Sequence, residues 1–177
     1  MRYVALLRAV NVGGCKLPMA ELREVCAELG WDKVETYIQS GNVVFEAPGK
    51  ADALEAALEK AVAKRFGFER PVIVRSAAQW AGYAKGSPFP EAERDEPNRL
   101  MLGLSKSQPN GDAPKLLEAK AAAGEQVKLK GDALWVHYPG GAGTTKLTPA
   151  LFDKAAGSPV TQRNWRTVLK LNEMLAE

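Results

Sequence analysis

Two short segments carry the residue types from which an anion site is built. Asn11-Val12-Gly13-Gly14-Cys15-Lys16 joins a glycine pair to a lysine, and Gln39-Ser40-Gly41-Asn42 supplies amides and a hydroxyl. Glycines let backbone N–H groups turn toward a ligand, an ammonium adds charge, and amide side chains donate or accept. Arg8 and Tyr37 flank these segments and complete a first set of candidate ligand-binding residues: Arg8, Asn11, Gly13, Gly14, Lys16, Tyr37, Gln39, Ser40 and Asn42. A second set lies further on, in the glycine-rich run Pro139-Gly140-Gly141-Ala142-Gly143-Thr144-Thr145-Lys146-Leu147-Thr148 and in Arg163-Asn164-Trp165. There Lys146, Thr148, Arg163 and Asn164 are the candidates, beside two expected helix starts whose N–H groups favour negative charge.

Each feature also has a plain structural reading. Neither glycine pair matches G-x-x-x-x-G-K-[ST], so both are first of all turns. Lys16 and Lys146 read equally as solvated side chains, and Asn164 as a helix cap. Trp31, Trp80, Trp135 and Trp165 occupy positions of helical or strand patterning, where anchoring a core is their ordinary role. His137 is the only histidine, on an alternating strand pattern, with no Cys or His partner at metal-ligand spacing. No Ser-His-Asp set and no distinctive carboxylate pair emerges, so no catalytic residue, metal or cofactor is expected, and enzyme status stays open.

The elements that must position these residues are legible from patterning. Residues 2–10 read as a strand closing on the Asn11–Gly14 turn. Pro18 with Met19, Leu22, Val25, Cys26 and Leu29 gives a helix stopping at Gly30. Residues 34–39 and 43–45 form a hairpin about Ser40-Gly41-Asn42, 51–66 an amphipathic helix, and 71–75 a strand, after which Ser76 caps a short helix to about Ala84. This is the β-α-β-β-α-β order of the ferredoxin-like fold. Residues 85–98, with Gly86, Pro88, Pro90 and Pro97 among charges, read as a linker. The order then repeats: strand 99–104, helix 113–123, strands 127–130 and 134–138, helix 148–156, strand 159–162 and a final helix capped by Asn164. Local echoes support duplication, since Arg2–Leu7 recurs as Arg99–Leu104, Gly41 as Gly131 and Pro71–Arg75 as Pro159–Arg163, in the same order. The expectation is an α+β protein made of two ferredoxin-like units: 1–84, a linker at 85–98, and 99–177 with a C-terminal helix.

In such a sheet, with strand order 4-1-3-2, the loop after strand one and the hairpin between strands two and three share an edge. That gathers the Asn11–Lys16 and Gln39–Asn42 segments. The second set collects at the opposite edge of its own sheet, and the two sets are expected to converge in a polar cleft between the repeats.

Composition narrows the function class. The 177 residues are 46% hydrophobic and 25% charged, which suits a globular chain. Lys and Arg number 24 against 21 Asp and Glu, with 11 against 10 over residues 1–76, so no basic arm or stripe exists to meet nucleic acid. The strands Val4–Leu7 and Val43–Phe45 are apolar on both faces, unlike sheets that stack bases on exposed aromatics. No apolar run approaches a membrane span, Arg8 interrupts the only short apolar start, and two lone cysteines fit a reducing cytoplasm.

Leu6-Leu7-Arg8-Ala9-Val10-Asn11-Val12-Gly13-Gly14, Lys16-Leu17-Pro18-Met19-Ala20-Glu21-Leu22, Thr36-Tyr37-Ile38-Gln39-Ser40-Gly41-Asn42-Val43-Val44-Phe45 and Thr161-Gln162-Arg163-Asn164-Trp165-Arg166-Thr167-Val168 together resemble the bacterial family called domain of unknown function 1697. The chain departs from that family's usual pattern at Ala9-Val10, where Gly-Ile is usual, and at Arg166, where Asn is common. The resemblance implies a cytoplasmic bacterial protein of two ferredoxin-like repeats without an established activity. The function expected from the residues is binding of a small anionic or phosphorylated ligand by a monomer or homodimer. The alternatives are a nucleic-acid-binding protein and a non-catalytic interaction module.

Overall fold

The apolar hexapeptide of β1 (Arg2–Leu7) sets the first sheet. In the computed structural model, which describes Met1–Glu177, its residues Val4, Ala5, Leu6 and Leu7 are at most 1% exposed, so both faces of the strand are buried. Strands alternate their side chains between faces, and only a strand covered on both sides keeps such a run dry. β1 pairs antiparallel with β3 (Asn42–Glu46) on one side and β4 (Val72–Ser76) on the other, and β2 (Asp32–Tyr37) completes the order β2-β3-β1-β4. One face packs Tyr3, Ala5, Leu7, Val43, Phe45, Val72 and Val74 against Leu22, Val25 and Cys26 of α1 (Met19–Glu28) and Leu54, Leu58 and Val62 of α2 (Ala51–Phe66). Trp31 lies flat on Phe45 with ring centroids 3.9 Å apart. α3 (Ala77–Ala84) opens on a reciprocal cap: Gln79 N–H donates to Ser76 Oγ, and Ser76 N–H to Gln79 Oε1.

A second four-stranded antiparallel sheet has the equivalent order β6-β7-β5-β8, from β5 (Leu100–Ser105), β6 (Gln126–Lys130), β7 (Ala133–His137) and β8 (Val160–Asn164). α5 (Ala113–Glu118) and α6 (Pro149–Ala156) cover it through Leu117, Phe152 and Ala155, which pack with Val127, Leu134 and Val136. The chain is thus a mixed α+β protein with two four-stranded antiparallel sheets and seven helices, consistent with duplication. Bonds outside the sheets repeat as well. Arg8 N–H donates to Pro71 O and Lys106 N–H to Pro159 O, each at 3.1 Å. Gly67 and Gly157, both left-handed, close α2 and α6.

The compact units are Met1–Ala81 with Leu171–Glu177, hereafter unit 1, and Gly82–Lys170, unit 2. The final helix α7 (Trp165–Ala176) therefore contributes its end to unit 1, where Arg2 Nη2 donates to Met174 O at 2.8 Å. The stretch 85–98, expected as a linker, carries α4 (Pro90–Asp95) with Phe89 and Ala92 buried. Its organiser is Ser87, whose hydroxyl accepts from Phe89 N–H and donates to Glu93. α5 ends at Glu118 rather than near residue 123, because the Glu118 carboxylate turns to accept Val127 N–H at 2.9 Å and the alanines that follow offer little to bury. β8 runs on to Asn164, which pairs with Met101.

Gly41 is the tightest point of the first hairpin. It holds φ at 87°, and a Cβ there would sit 2.8 Å from Val10 Cγ2 and 2.9 Å from Leu7 Cβ. Gly41→Ala should lower stability by about 2–4 kcal/mol in urea unfolding, from left-handed strain and overpacking together. Gly13→Ala, with nothing within 4 Å of the added carbon, should lose only about 1–2 kcal/mol. Equal losses would show that the close approach at Gly41 carries no energy.

Candidate functional site

The candidate residues of unit 1 meet where β1 ends. Beyond Leu7 the chain adopts positive φ at Ala9, Asn11, Gly13 and Gly14, a sequence of reversals that coils the loop back on itself. Asn11 fixes that coil. Its Oδ1 accepts Leu17 N–H at 2.9 Å, and its Nδ2 donates to Leu17 O at 3.0 Å and to Gln39 O at 2.7 Å. One amide side chain therefore closes the loop and ties it to the β2–β3 hairpin, with both N–H bonds and the carbonyl in use. Asn42, fully buried, does the same inside the hairpin, donating from Nδ2 to Tyr37 O and Ser40 Oγ, each at 3.0 Å.

A cavity of about 490 Å³ lies at this edge, lined by Asn11, Gly14, Cys15, Lys16, Leu17, Pro18, Met19 and Gln39. Lys16 is exposed, and no carboxylate is among the lining residues. α1 begins here with Pro18 at its N-cap and no side chain capping its first turn. Gly13 and Gly14 are exposed, and no hydrogen bond within the chain uses their N–H groups. Arg8 is half-buried with its N–H on Pro71 O, Tyr37 is half-buried, and Gln39 and Ser40 are exposed. The structure thus brings Asn11, Gly14, Lys16 and Gln39 around one cavity, and spends the Asn11 and Asn42 side chains on holding it.

Arg70 belongs to this edge and escaped the sequence reading. Its Nη2 donates to Cys15 Sγ at 2.5 Å and its Nε to Ala9 O at 3.2 Å, while the guanidinium lies 5.2 Å from the Phe68 ring centroid. The signal was available: antiparallel pairing of Leu7 with Val72 places the start of β4 beside the end of β1.

In unit 2 the glycine-rich run is anchored from below. Glu125, 5% exposed, accepts Ala123 N–H at 2.7 Å and the Thr145 hydroxyl at 2.6 Å. The Thr145 hydrogen bond holds the Glu125 carboxyl below its ordinary pKa. Burial pushes the Tyr138 phenol up to about 12, and its hydroxyl donates to Gln162. Lys146 is exposed. Thr148 caps α6 by accepting Leu151 N–H at 3.3 Å. Arg163 lies within β8, 7% exposed, with Nη1 on Thr161 Oγ1 and Gln162 O, and burial pushes its guanidinium down to about 10. Asn164 accepts Arg166 N–H and donates to Pro97 O and Leu100 O. Thr148 and Asn164 are thus occupied as caps, and Arg163 as a strand residue. His137 borders a separate cavity of about 390 Å³ beside Phe89, Glu96 and Lys128, its Nε2 3.6 Å from Glu96 Oε1. No group of three or more His, Cys, Asp or Glu is placed to hold a metal, and no helix is long and apolar enough to cross a membrane.

A family model described as a protein of unknown function matches residues 1–135. The chain belongs to the DUF1697 family. The matched span holds every candidate residue of unit 1 and stops short of Lys146, Thr148, Arg163 and Asn164. Among solved structures, a conserved bacterial protein from Streptococcus pneumoniae is similar to the chain at a TM-score of 0.76 and 25% identity, covering 99% of this chain and 98% of its own. No curated protein matches the sequence.

Because the Glu125 carboxyl is held below its unfolded value, its contribution to stability is complete above about pH 4.3 and is lost as pH falls through the lowered folded value. Thr145→Val should therefore be less stable than the wild type at neutral pH, and the gap should narrow toward about pH 3. Urea midpoints at the two pH values check this, and a constant gap contradicts it.

Proposed function

We propose that unit 1 binds a small anionic or phosphorylated ligand at the Asn11–Lys16 edge, on a ferredoxin-like fold that the chain carries twice. The β-α-β-β-α-β order and the sheet order β2-β3-β1-β4 support that fold reading. The observation that carries the functional reading is the pairing of an exposed lysine with Gly14, whose N–H is unused within the chain, around a cavity whose lining holds no carboxylate. The amides of Gly13 and Gly14 and the uncapped first turn of α1 supply partial positive charge, and Lys16 supplies the full charge. Because Asn11 already orders the loop, binding costs little further conformational entropy. Lys146, Thr148, Arg163 and Asn164 form a separate set in unit 2, and the proposal does not draw on them.

Base stacking on the first sheet finds no platform, since Val4, Leu6, Val43, Val44 and Phe45 are all buried. Cys15 and Cys26 are free thiols, which supports a reducing compartment such as the cytoplasm.

Thermal denaturation with inorganic phosphate, pyrophosphate, sugar phosphates and nucleotides tests the reading. A ligand at 100 times its Kd should stabilise the protein by about 2.7 kcal/mol. Lys16→Gln should weaken that ligand at least fivefold without changing stability in its absence, as expected for an exposed side chain. No shift with any probe, or an unchanged affinity in Lys16→Gln, would overturn it.

A further inference from the structure

The segment from Tyr83 to Pro97 is strapped across one face of the second sheet. Val127, Leu134 and Val136 pack under α5 and α6, so Lys128, Trp135 and His137, at the alternate positions of the same strands, face the other way. The strap is fastened on that side. The Tyr83 hydroxyl donates to Asp132 at 2.8 Å, Lys130 Nζ donates to Gly86 O at 3.3 Å, and the Lys128 ammonium sits 4.7 Å from the Phe89 ring centroid. At the far end Asn164 Nδ2 donates to Pro97 O at 2.8 Å. Between α4 and the sheet lies the cavity of about 390 Å³, walled by Phe89, Glu91, Asp95 and Glu96 from the strap and by Lys128 and His137 from the sheet.

The fastening at Glu96, just after α4, depends on a proton. His137 Nε2 is buried without a hydrogen-bond partner, 3.6 Å from Glu96 Oε1, while Glu96 Oε2 accepts Arg99 Nη1 at 3.2 Å. In a neutral imidazole Nε2 carries either a lone pair, which faces the carboxylate oxygen unfavourably, or an N–H that stops short of it. Protonation makes both ring nitrogens donors, so in either case Nε2–H then meets the carboxylate as an ion pair. Histidine changes its charge between about pH 5 and 8, whereas the carboxylate, ammonium and amide groups of the other fastenings do not titrate in that interval. The charged groups around the ring are Glu91, Asp95 and Glu96 of the strap, with Arg94 on Asp95 and Arg99 on Glu96, and Lys128 of β6. β5 brings only Leu100 opposite His137. Lys128 is turned onto Phe89, and Glu96 is the carboxylate within ion-pair reach.

We propose that His137 and Glu96 make the strap a pH-sensitive cover: the charged imidazole fastens α4 over the cavity, and loss of its proton as pH rises through neutrality releases α4 and uncovers Phe89. The sign follows from the charge, since the ion pair exists only while the imidazole is protonated. The device lies wholly in unit 2 and is independent of the anion site of unit 1.

The test is amide hydrogen exchange on the intact protein, corrected for the intrinsic pH dependence of exchange, at the Glu93 and Glu96 N–H groups, which are bonded to Phe89 O and Ala92 O. Their protection should fall about two- to fivefold between about pH 5 and pH 8, the size expected of an ion pair with one half-exposed partner. The Leu116 amide, bonded to Asp112 O at the start of α5, should show no such step. Glu96→Gln, at a half-exposed side chain, should flatten the profile at Glu93 and Glu96, and His137→Gln should flatten it from the other side of the pair. A wild-type strap equally protected at both pH values overturns the proposal, as does a step that survives in either variant. A step shared by Leu116 reports a change in the whole unit and overturns the local cover as well.

Discussion

The edge of unit 1 depends on the three hydrogen bonds of the Asn11 side chain. Without them the segment from Arg8 to Pro18 is an irregular loop with a glycine pair and positive φ at Ala9 and Asn11, conformations that an unrestrained chain leaves readily. With them, the loop is closed on Leu17, and Leu17 is completely buried, so the closure is coupled to the core beneath α1. The third bond, to Gln39 O, brings in the hairpin. Arg70 reinforces the loop from the β4 side through Ala9 O and Cys15 Sγ. The groups left over after this internal bonding, namely the Lys16 ammonium and the amides of Gly13 and Gly14, are the ones through which the proposed anion would be held. Local strain at a site is tolerated where surrounding structure over-determines it, and this loop has that support.

The same physical solution occurs in unit 2 with different residues. Gln108 Nε2 donates to Gly131 O at 3.0 Å, joining the loop after β5 to the β6–β7 hairpin as Asn11 joins the loop after β1 to Gln39. An antiparallel sheet of this order always brings that loop and that hairpin to one edge, so an amide bridge between them recurs even when the bridging residue has lengthened by a methylene. What differs is the polar chemistry around the bridge. In unit 2 the glycines and threonines gather beyond β7, where Glu125 and Thr145 restrain them.

Much of this was legible in the sequence because periodicity and turn chemistry are local. The 51–66 helix, the hairpin about Gly41, and the caps at Ser76 and Asn164 all follow from residues within a few positions of one another, whereas Thr148, read as the first residue of a helix, is the cap before it. The gathering of Asn11, Gly14, Lys16 and Gln39 followed from strand order, a long-range deduction from a short-range pattern. Patterning reads elements and not side-chain reach, which is why Arg70 and Glu125 stayed hidden: each acts through a loop distant in sequence. Arg163 was read as lying just beyond a strand ending at residue 162 for a related reason. Its strand continues two residues further, to Asn164, and burial of a guanidinium on own-strand acceptors leaves no sequence signature. The 85–98 stretch shows the converse, where the Ser87 hydroxyl, bonded to Phe89 N–H and Glu93, and the buried Phe89 and Ala92 order a segment whose prolines and charges read as irregular.

Native-state hydrogen exchange at the Leu17 amide tests the role of Asn11 most directly. This N–H is bonded to Asn11 Oδ1 and to no backbone carbonyl of the loop. If Asn11 preorganises the edge, Asn11→Ala speeds exchange at Leu17 by about 10- to 100-fold while amides in the centre of β1 keep their protection. Equal protection of Leu17 in the two proteins would contradict it, and would mean that the loop is held by packing alone.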